Sequence, residues 1–170
     1  TQSIGIAAPA IARALDFAGP AVGLVFSAGL FGAMTGAMIL GPLGDRIGRK
    51  RVLIATTILF AVFTGATALA DSYTTLLAFR FIAGIGLGGA TPSFISLTTE
   101  YSPARVRGLV VSAMWAAFPL GGVIGGLINP YLMREFGWPS IFYIGGALPL
   151  ALALLLWVAL PESLRFMVLK

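Results

Sequence analysis

The sequence predicts an all-α membrane protein, a bundle of six transmembrane helices of which the first is truncated. Two observations predict this fold class. Of the 170 residues, 58% are apolar and 10% are charged, whereas soluble domains have about 45–50% and about 25%. The charged residues also lie between long uncharged stretches, most with the ~20 residues that cross a bilayer as a helix. We therefore expect lipid rather than water to surround most of the chain.

The uncharged stretches locate the individual spans. We predict spans at residues 1–13, 20–43, 52–70, 74–99, 107–130 and 138–160. The first would be about 18 Å long from Thr1 to Ala12, short of the ~30 Å hydrocarbon core, so we expect the end of a span that is cut. A signal peptide is not expected, since Thr1 is not a methionine and no basic segment precedes the apolar run.

The basic residues predict which side of the membrane each loop faces. Eight of the eleven fall in alternate loops on one side, and such loops are cytoplasmic under the positive-inside rule. These eight are Arg46, Arg49, Lys50, Arg51, Arg105, Arg107, Arg165 and Lys170. Both ends of the six-span segment are then cytoplasmic, and we expect a bacterial inner membrane. The net charge of +5 is spread over short loops, so nucleic acid is not a predicted partner.

The composition gives little support to catalytic or metal-binding chemistry. The sequence contains no histidine and no cysteine, which excludes thiol chemistry and the usual zinc ligands. None of its six acidic residues falls in the middle of a span, so no buried acid supplies a general base. We predict no enzyme activity, no catalytic residue, no metal site and no cofactor.

Glycines repeat at four-residue spacing inside the predicted spans, a pattern that lets helix backbones approach closely in lipid. We expect these helices to pack against partners. The pairs are Gly32 with Gly36, Gly84 with Gly88, Gly121 with Gly125, and Gly122 with Gly126.

The clearest motif lies between the second and third spans. Its sequence, GPLGDRIGRKRVL at residues 41–53, resembles the signature GxLxDRxGRKxxL of the major facilitator superfamily, with every specified position matched. The resemblance implies half of a twelve-helix fold, with a C-terminal six-helix half as its partner. It also implies a cytoplasmic gate that includes Gly41, Asp45, Arg46, Gly48 and Arg49.

Two further segments resemble elements of the same superfamily. Glu100, followed by Arg107 and Gly108, is similar to the element ExxxxxxRG, and we expect both charges to join the cytoplasmic gate. The segment PESLR at residues 161–165 resembles the PESPR element of sugar porters, from which it departs at Leu164. That departure weakens the resemblance to sugar porters.

Arg80 lies inside the fourth span, about 9 Å along the helix from Thr74. With the glycines that follow, it resembles the superfamily motif RxxxGxG. A cation at this depth is costly unless it faces protein, water or a ligand, and a guanidinium can hold an anion through two hydrogen bonds. We therefore predict that Arg80 binds an anionic group. The alternative is pairing with Asp71 or with lipid headgroups.

Other polar side chains within the spans are candidates to line a central cavity, because a polar group facing lipid is costly. With Arg80, the predicted substrate-binding residues are Gln2, Ser27, Thr91, Ser93 and Trp115. Thr35 and Asn129 are further candidates. For the hydroxyl groups the alternative is a hydrogen bond to a carbonyl of the same helix, and for Trp115 it is packing.

Two segments are similar to the aromatic acid:proton symporter family: TQSIGIAAPAIA at residues 1–12 and RFIAGIGLGGATPSFISLTTEYSP at residues 80–103. The resemblance implies proton-coupled symport of a small organic anion, an aromatic carboxylate, by alternating access. Because no acid lies mid-membrane in this chain, we expect the proton carrier upstream in the first helix or in the other half. The alternatives are a sugar or polyol porter, a drug exporter, and a non-transporting membrane scaffold or receptor.

Overall fold

Within residues 19–160, which the computed structural model describes, the chain forms five α-helices and no strand. They are α1 (Gly19–Ile47), α2 (Arg49–Ala66), α3 (Tyr73–Tyr101), α4 (Arg107–Phe136) and α5 (Pro139–Ala159). These correspond to the second to sixth predicted spans, and all five are long and apolar enough to cross a membrane. The prediction of an all-α membrane protein is confirmed. The first span, with Gln2, and the PESLR segment lie outside the described residues.

Two helices continue past the ends that the sequence predicts. Helix α1 runs through the basic motif to Ile47 instead of ending at 43, and α4 reaches Phe136 instead of ending at 130. Each contains a proline near the predicted end, Pro42 in α1 and Pro130 in α4. Proline removes one backbone donor but does not stop a helix whose neighbouring backbone groups stay satisfied, a common situation in membrane proteins.

The backbones of α1 and α3 lie against each other along a row of glycines. A side-chain carbon added at Gly84 of α3 would overlap the carbonyl oxygen of Gly29, and one added at Gly36 of α1 would overlap that of Ile85. Gly32 and Gly88 make equally close backbone contacts. This is the close approach predicted from the four-residue spacing of these two pairs.

The glycines of α4 do not repeat this pattern. Among the described residues, a side-chain carbon at Gly121 or Gly126 would have nothing within 4 Å, and one at Gly125 would meet only Asn129. Asn129 is also the one buried residue of α4 in this part of the chain. The packing predicted for the α4 glycines is therefore not formed within residues 19–160.

The turns at the two ends of the bundle have distinct chemistry. We call the end with the α1–α2 turn and the α3–α4 loop the basic end. There Gly48 has a φ of 107°, a backbone conformation that glycine adopts more easily than other residues. Its N–H donates to the Gly44 carbonyl at 3.1 Å. At the opposite end the Tyr73 hydroxyl donates to the Ala21 carbonyl at 3.0 Å and fastens α3 to α1.

A cluster of buried apolar residues closes the opposite end of the bundle. It joins α1, α3 and α5 with the turn that follows α2, and its members are Val25, Ala68, Ala70, Leu76, Ile141 and Phe142. Phe142 is 1% exposed and packs edge-on against Trp138, with ring centroids 6.1 Å apart. This apolar cap fixes the position of Phe142, which borders the candidate site described below.

The close contact of α1 and α3 predicts opposite effects for two glycine-to-alanine changes. Gly84→Ala places a methyl group against the Gly29 carbonyl, so we expect it to lower the stability of the full-length protein by about 1–3 kcal/mol. Gly121→Ala adds a methyl group that meets nothing within residues 19–160 and removes a flexible residue, so we expect unchanged or slightly higher stability. Thermal unfolding in detergent measures both; equal midpoints would contradict the structure.

Candidate functional site

Three helices meet at an ion-pair network at the basic end. Arg49, the first residue of α2, donates from Nε and Nη2 to Asp45 Oδ1 of α1, at 3.1 and 2.9 Å. Its Nη1 donates to Glu100 Oε1 of α3 at 3.0 Å. The side chains of Arg49 and Glu100 are 18% and 15% exposed, whereas that of Asp45 is 64% exposed. We call Asp45, Arg49 and Glu100 the latch.

The other predicted gate residues surround the latch without joining its ion pairs. Gly48 forms the turn that presents Arg49, and Gly41 lies close to the ring of Pro92 in α3. Arg46 is exposed. Arg107, expected to join the same network, instead reaches the Ser102 carbonyl at 3.4 Å, at the limit of hydrogen-bond distance.

Arg80 is the most deeply buried cation in the described part of the chain, with 6% of its surface exposed. Its Cζ atom lies 4.8 Å from the centroid of the Phe142 ring, a cation–π contact that covers one face of the guanidinium. Its Nε and Nη2 atoms are buried and have no hydrogen-bond partner within residues 19–160. These two N–H groups form one edge of the guanidinium, which is able to bind a carboxylate through two parallel hydrogen bonds.

A cavity of about 140 Å³ adjoins Arg80 between α1, α2, α3 and α4. Arg80 is the one charged residue among those that line it. The aromatic walls come from three helices and are Phe26, Phe60 and Phe118. Small residues leave the space between them, namely Gly29, Ala33, Ala83 and Gly84. We call this space the Arg80 cavity.

The other predicted substrate-binding residues that lie within residues 19–160 are not among those that line the Arg80 cavity. Thr91 and Thr35 donate to carbonyls of their own helices, at Leu87 and Phe31. Ser93 is buried near Gly44 towards the basic end, with no partner for its hydroxyl in the described residues. The others lie elsewhere: Ser27 is partly buried, Asn129 is buried in α4, and Trp115 is 58% exposed.

The sequence pattern missed the aromatic residues around Arg80. Phe142 lies 62 positions further along the chain, in another helix, and Phe26 and Phe118 also belong to other helices. An apolar residue in an apolar span carries no signal that separates a cavity wall from a lipid-facing side chain. The one available clue was a buried arginine, which requires neighbours that compensate for its charge.

Residues 1–166 match the family model described as Major Facilitator Superfamily. The chain belongs to the major facilitator superfamily. Within this superfamily, the chain is 44% identical over its whole length to the 4-hydroxybenzoate transporter PcaK of Acinetobacter baylyi, of which it covers 37%. It is 41% identical over 97% of its length to the 3-(3-hydroxy-phenyl)propionate transporter of Escherichia coli and 40% identical over 96% to the gallate transporter of Pseudomonas putida.

These superfamily relatives are transporters and not enzymes, in agreement with the sequence prediction. The chain spans well under half the length of each of the three named above, 37%, 41% and 36%. Among solved structures it resembles the proton:xylose symporter XylE bound to 6-bromo-6-deoxy-D-glucose, with a TM-score of 0.88 and 21% identity. The match covers 98% of this chain and 42% of XylE, and it confirms the predicted half of a major facilitator fold.

The latch geometry predicts that Arg49 stabilises this half of the fold. Arg49→Ala removes three charge-assisted hydrogen bonds, two to Asp45 and one to Glu100, and we expect it to lower the stability by about 1–3 kcal/mol. Arg49→Lys should recover part of the loss, because an ammonium cannot reproduce the planar fork. Arg46→Ala, at an exposed site in the same turn, is the control. Equal unfolding midpoints for Arg49→Ala and Arg46→Ala in detergent would exclude a stabilising latch.

Proposed function

We propose that the transporter containing this chain carries a small aromatic carboxylate across the membrane by proton-coupled symport. The observation that carries the proposal is the edge of the Arg80 guanidinium, which is buried beside a cavity with aromatic walls and has no hydrogen-bond partner within residues 19–160. The named relatives support the substrate class, because they are transporters of 4-hydroxybenzoate, hydroxyphenylpropionate and gallate. This chain supplies one half of the alternating-access machinery, and the other half completes it.

Arg80 binds the carboxylate of the substrate in this proposal. A guanidinium stays protonated in proteins, so Arg80 attracts an anion and does not itself carry the coupled proton. Burying the charge of Arg80 is costly, and an ionised carboxylate bound at Nε and Nη2 offsets that cost. A neutral sugar would leave the charge of Arg80 unpaired, so the geometry favours an anion over the sugar or polyol alternative.

The coupled proton requires a titrating acid outside the described spans. Asp45, Asp71, Glu100 and Glu135 all lie at helix ends or in connections, where a proton would not cross the membrane with the substrate. We place the proton carrier in the first span upstream of this segment or in the other half. In this proposal the latch at the basic end stabilises one of the two states of alternating access. Binding of substrate and proton together shifts the populations of these two states.

If Arg80 binds the carboxylate, substitutions that keep or remove its charge should impair uptake to different degrees. In the full-length transporter we expect Arg80→Lys to raise the KM for 4-hydroxybenzoate at least tenfold, because a point charge loses the two-bond geometry. Arg80→Gln should abolish uptake, whereas Arg51→Gln, an exposed basic residue at the basic end, should leave KM unchanged. Uptake of radiolabelled 4-hydroxybenzoate into cells measures all three. A wild-type KM in Arg80→Lys would remove Arg80 from the binding site.

Proton coupling predicts that a pH gradient drives accumulation. In proteoliposomes with an alkaline interior, we expect faster entry of 4-hydroxybenzoate than without a gradient and loss of accumulation when a protonophore is added. Liposomes without protein correct for passive entry of the protonated acid. If uptake requires the protein but is the same with and without the pH gradient, proton symport is contradicted and transport by the protein still stands.

A further inference from the structure

Phe142 of α5 forms a direct electrostatic contact with Arg80 of α3. The Arg80 Cζ atom lies 4.8 Å from the centroid of the Phe142 ring, within the ~6 Å over which the face of an aromatic ring attracts a guanidinium. Phe142 is 1% exposed and Arg80 is 6% exposed in this chain. The contact is therefore formed and buried inside this half and does not require the other half.

Packing with other apolar residues holds the Phe142 ring in place. Trp138 contacts it edge-on, with ring centroids 6.1 Å apart and ring planes at 73°. Phe142 also belongs to the buried apolar cluster, together with Val25 of α1 and Leu76 of α3. Leu76 lies one turn before Arg80 on the same helix. The ring is thus a fixed surface against which the guanidinium lies.

The Arg80 guanidinium benefits from a fixed surface of this kind. An arginine side chain has several rotatable bonds, and no hydrogen bond from Nε or Nη2 to a residue within 19–160 holds this edge in one direction. Contact with a ring face fixes the plane of the guanidinium and leaves its N–H groups available in that plane. A group that is already oriented loses less conformational entropy when it binds a ligand.

We propose that Phe142 is a positioning residue that orients the Arg80 guanidinium for anion binding, and that the attraction between ring face and charge, rather than packing alone, gives it this role. Phe142 is not among the residues that line the Arg80 cavity, so it acts through Arg80 and not on the substrate. The inference rests on the proposed function, because it assumes that Arg80 binds the substrate carboxylate.

Stepwise fluorination of the Phe142 ring separates electrostatic attraction from packing. Fluorine withdraws electron density from the ring face, which attracts the cation, and changes the shape of the ring little. The experiment replaces Phe142 with 4-fluoro-, 3,5-difluoro- and 3,4,5-trifluorophenylalanine in the full-length protein. We expect the KM for radiolabelled 4-hydroxybenzoate to rise with each added fluorine, to about fivefold with three, while the maximum rate per folded protein stays the same. A role in packing alone would leave KM unchanged across the series.

Phe63 of α2 offers a matched control for the fluorinated ring. It packs edge-on against Phe79, with ring centroids 5.9 Å apart, and its ring contacts no cation in the part of the chain that the structure describes. The same trifluorinated residue at Phe63 should leave KM unchanged. A rise in KM equal to that at Phe142 would show a general effect of fluorine on the bundle and would overturn the positioning role.

A second measurement tests the contact without any substrate. Trifluorination of Phe142 weakens its attraction to Arg80, so we expect a lower thermal unfolding midpoint in detergent. In an Arg80→Met background, which keeps a long side chain without the charge, the same fluorination should leave the midpoint unchanged. An equal decrease in both backgrounds would overturn an electrostatic contact between the two residues.

The outcomes distinguish failure of this inference from failure of the proposed function. If uptake depends on Arg80 but KM is the same across the fluorinated series, the positioning role of Phe142 is overturned and the proposed function stands. If the wild type does not take up 4-hydroxybenzoate, the proposed function fails and the positioning role fails with it. A KM that rises with fluorination at Phe142 but not at Phe63, together with a midpoint decrease that requires Arg80, supports the inference.

Discussion

The close contact between the backbones of α1 and α3 is the constraint on which the rest of this structure depends. Apolar side chains give helices little reason to associate in lipid, so packing at glycines replaces the hydrophobic drive that assembles a soluble core. The contact runs along Gly32, Gly36, Gly84 and Gly88. It fixes the register of α1 against α3. These two helices carry the acidic residues of the latch at the basic end, and Arg80 with its cavity lies nearer the opposite end.

This arrangement ties both ends of the half to the same pair of helices. The latch joins the end of α1 to the end of α3 through Arg49, and the Arg80 cavity lies between the same two helices. Because the backbones of α1 and α3 are in close contact at these glycines, we expect the two helices to move together as one body.

The sequence predicted those features that depend on local composition or on a short motif. Span positions followed from uncharged length, and the turn at Gly48 and the close approach at Gly84 followed from glycine placement. Features that depend on which helices are neighbours in the folded bundle could not be predicted from the sequence. The cation–π contact joins Arg80 to Phe142 of another helix. The glycines of α4 contact no other helix within residues 19–160, so their spacing alone did not identify a partner. Hydroxyl groups such as that of Thr91 bond within their own helix, as the alternative interpretation held.

One proposed interaction is central to this site, a carboxylate bound at Nε and Nη2 of Arg80, the two atoms without a hydrogen-bond partner in the described part of the chain. A structure of the full-length protein with 4-bromobenzoate tests it most directly, because anomalous scattering locates the bromine and thereby the direction of the ring. We expect both carboxylate oxygens within hydrogen-bond distance of Nε and Nη2, with the ring in the Arg80 cavity. Bromine found outside this cavity, with Nε and Nη2 bonded to an acidic side chain of the protein, would contradict the account.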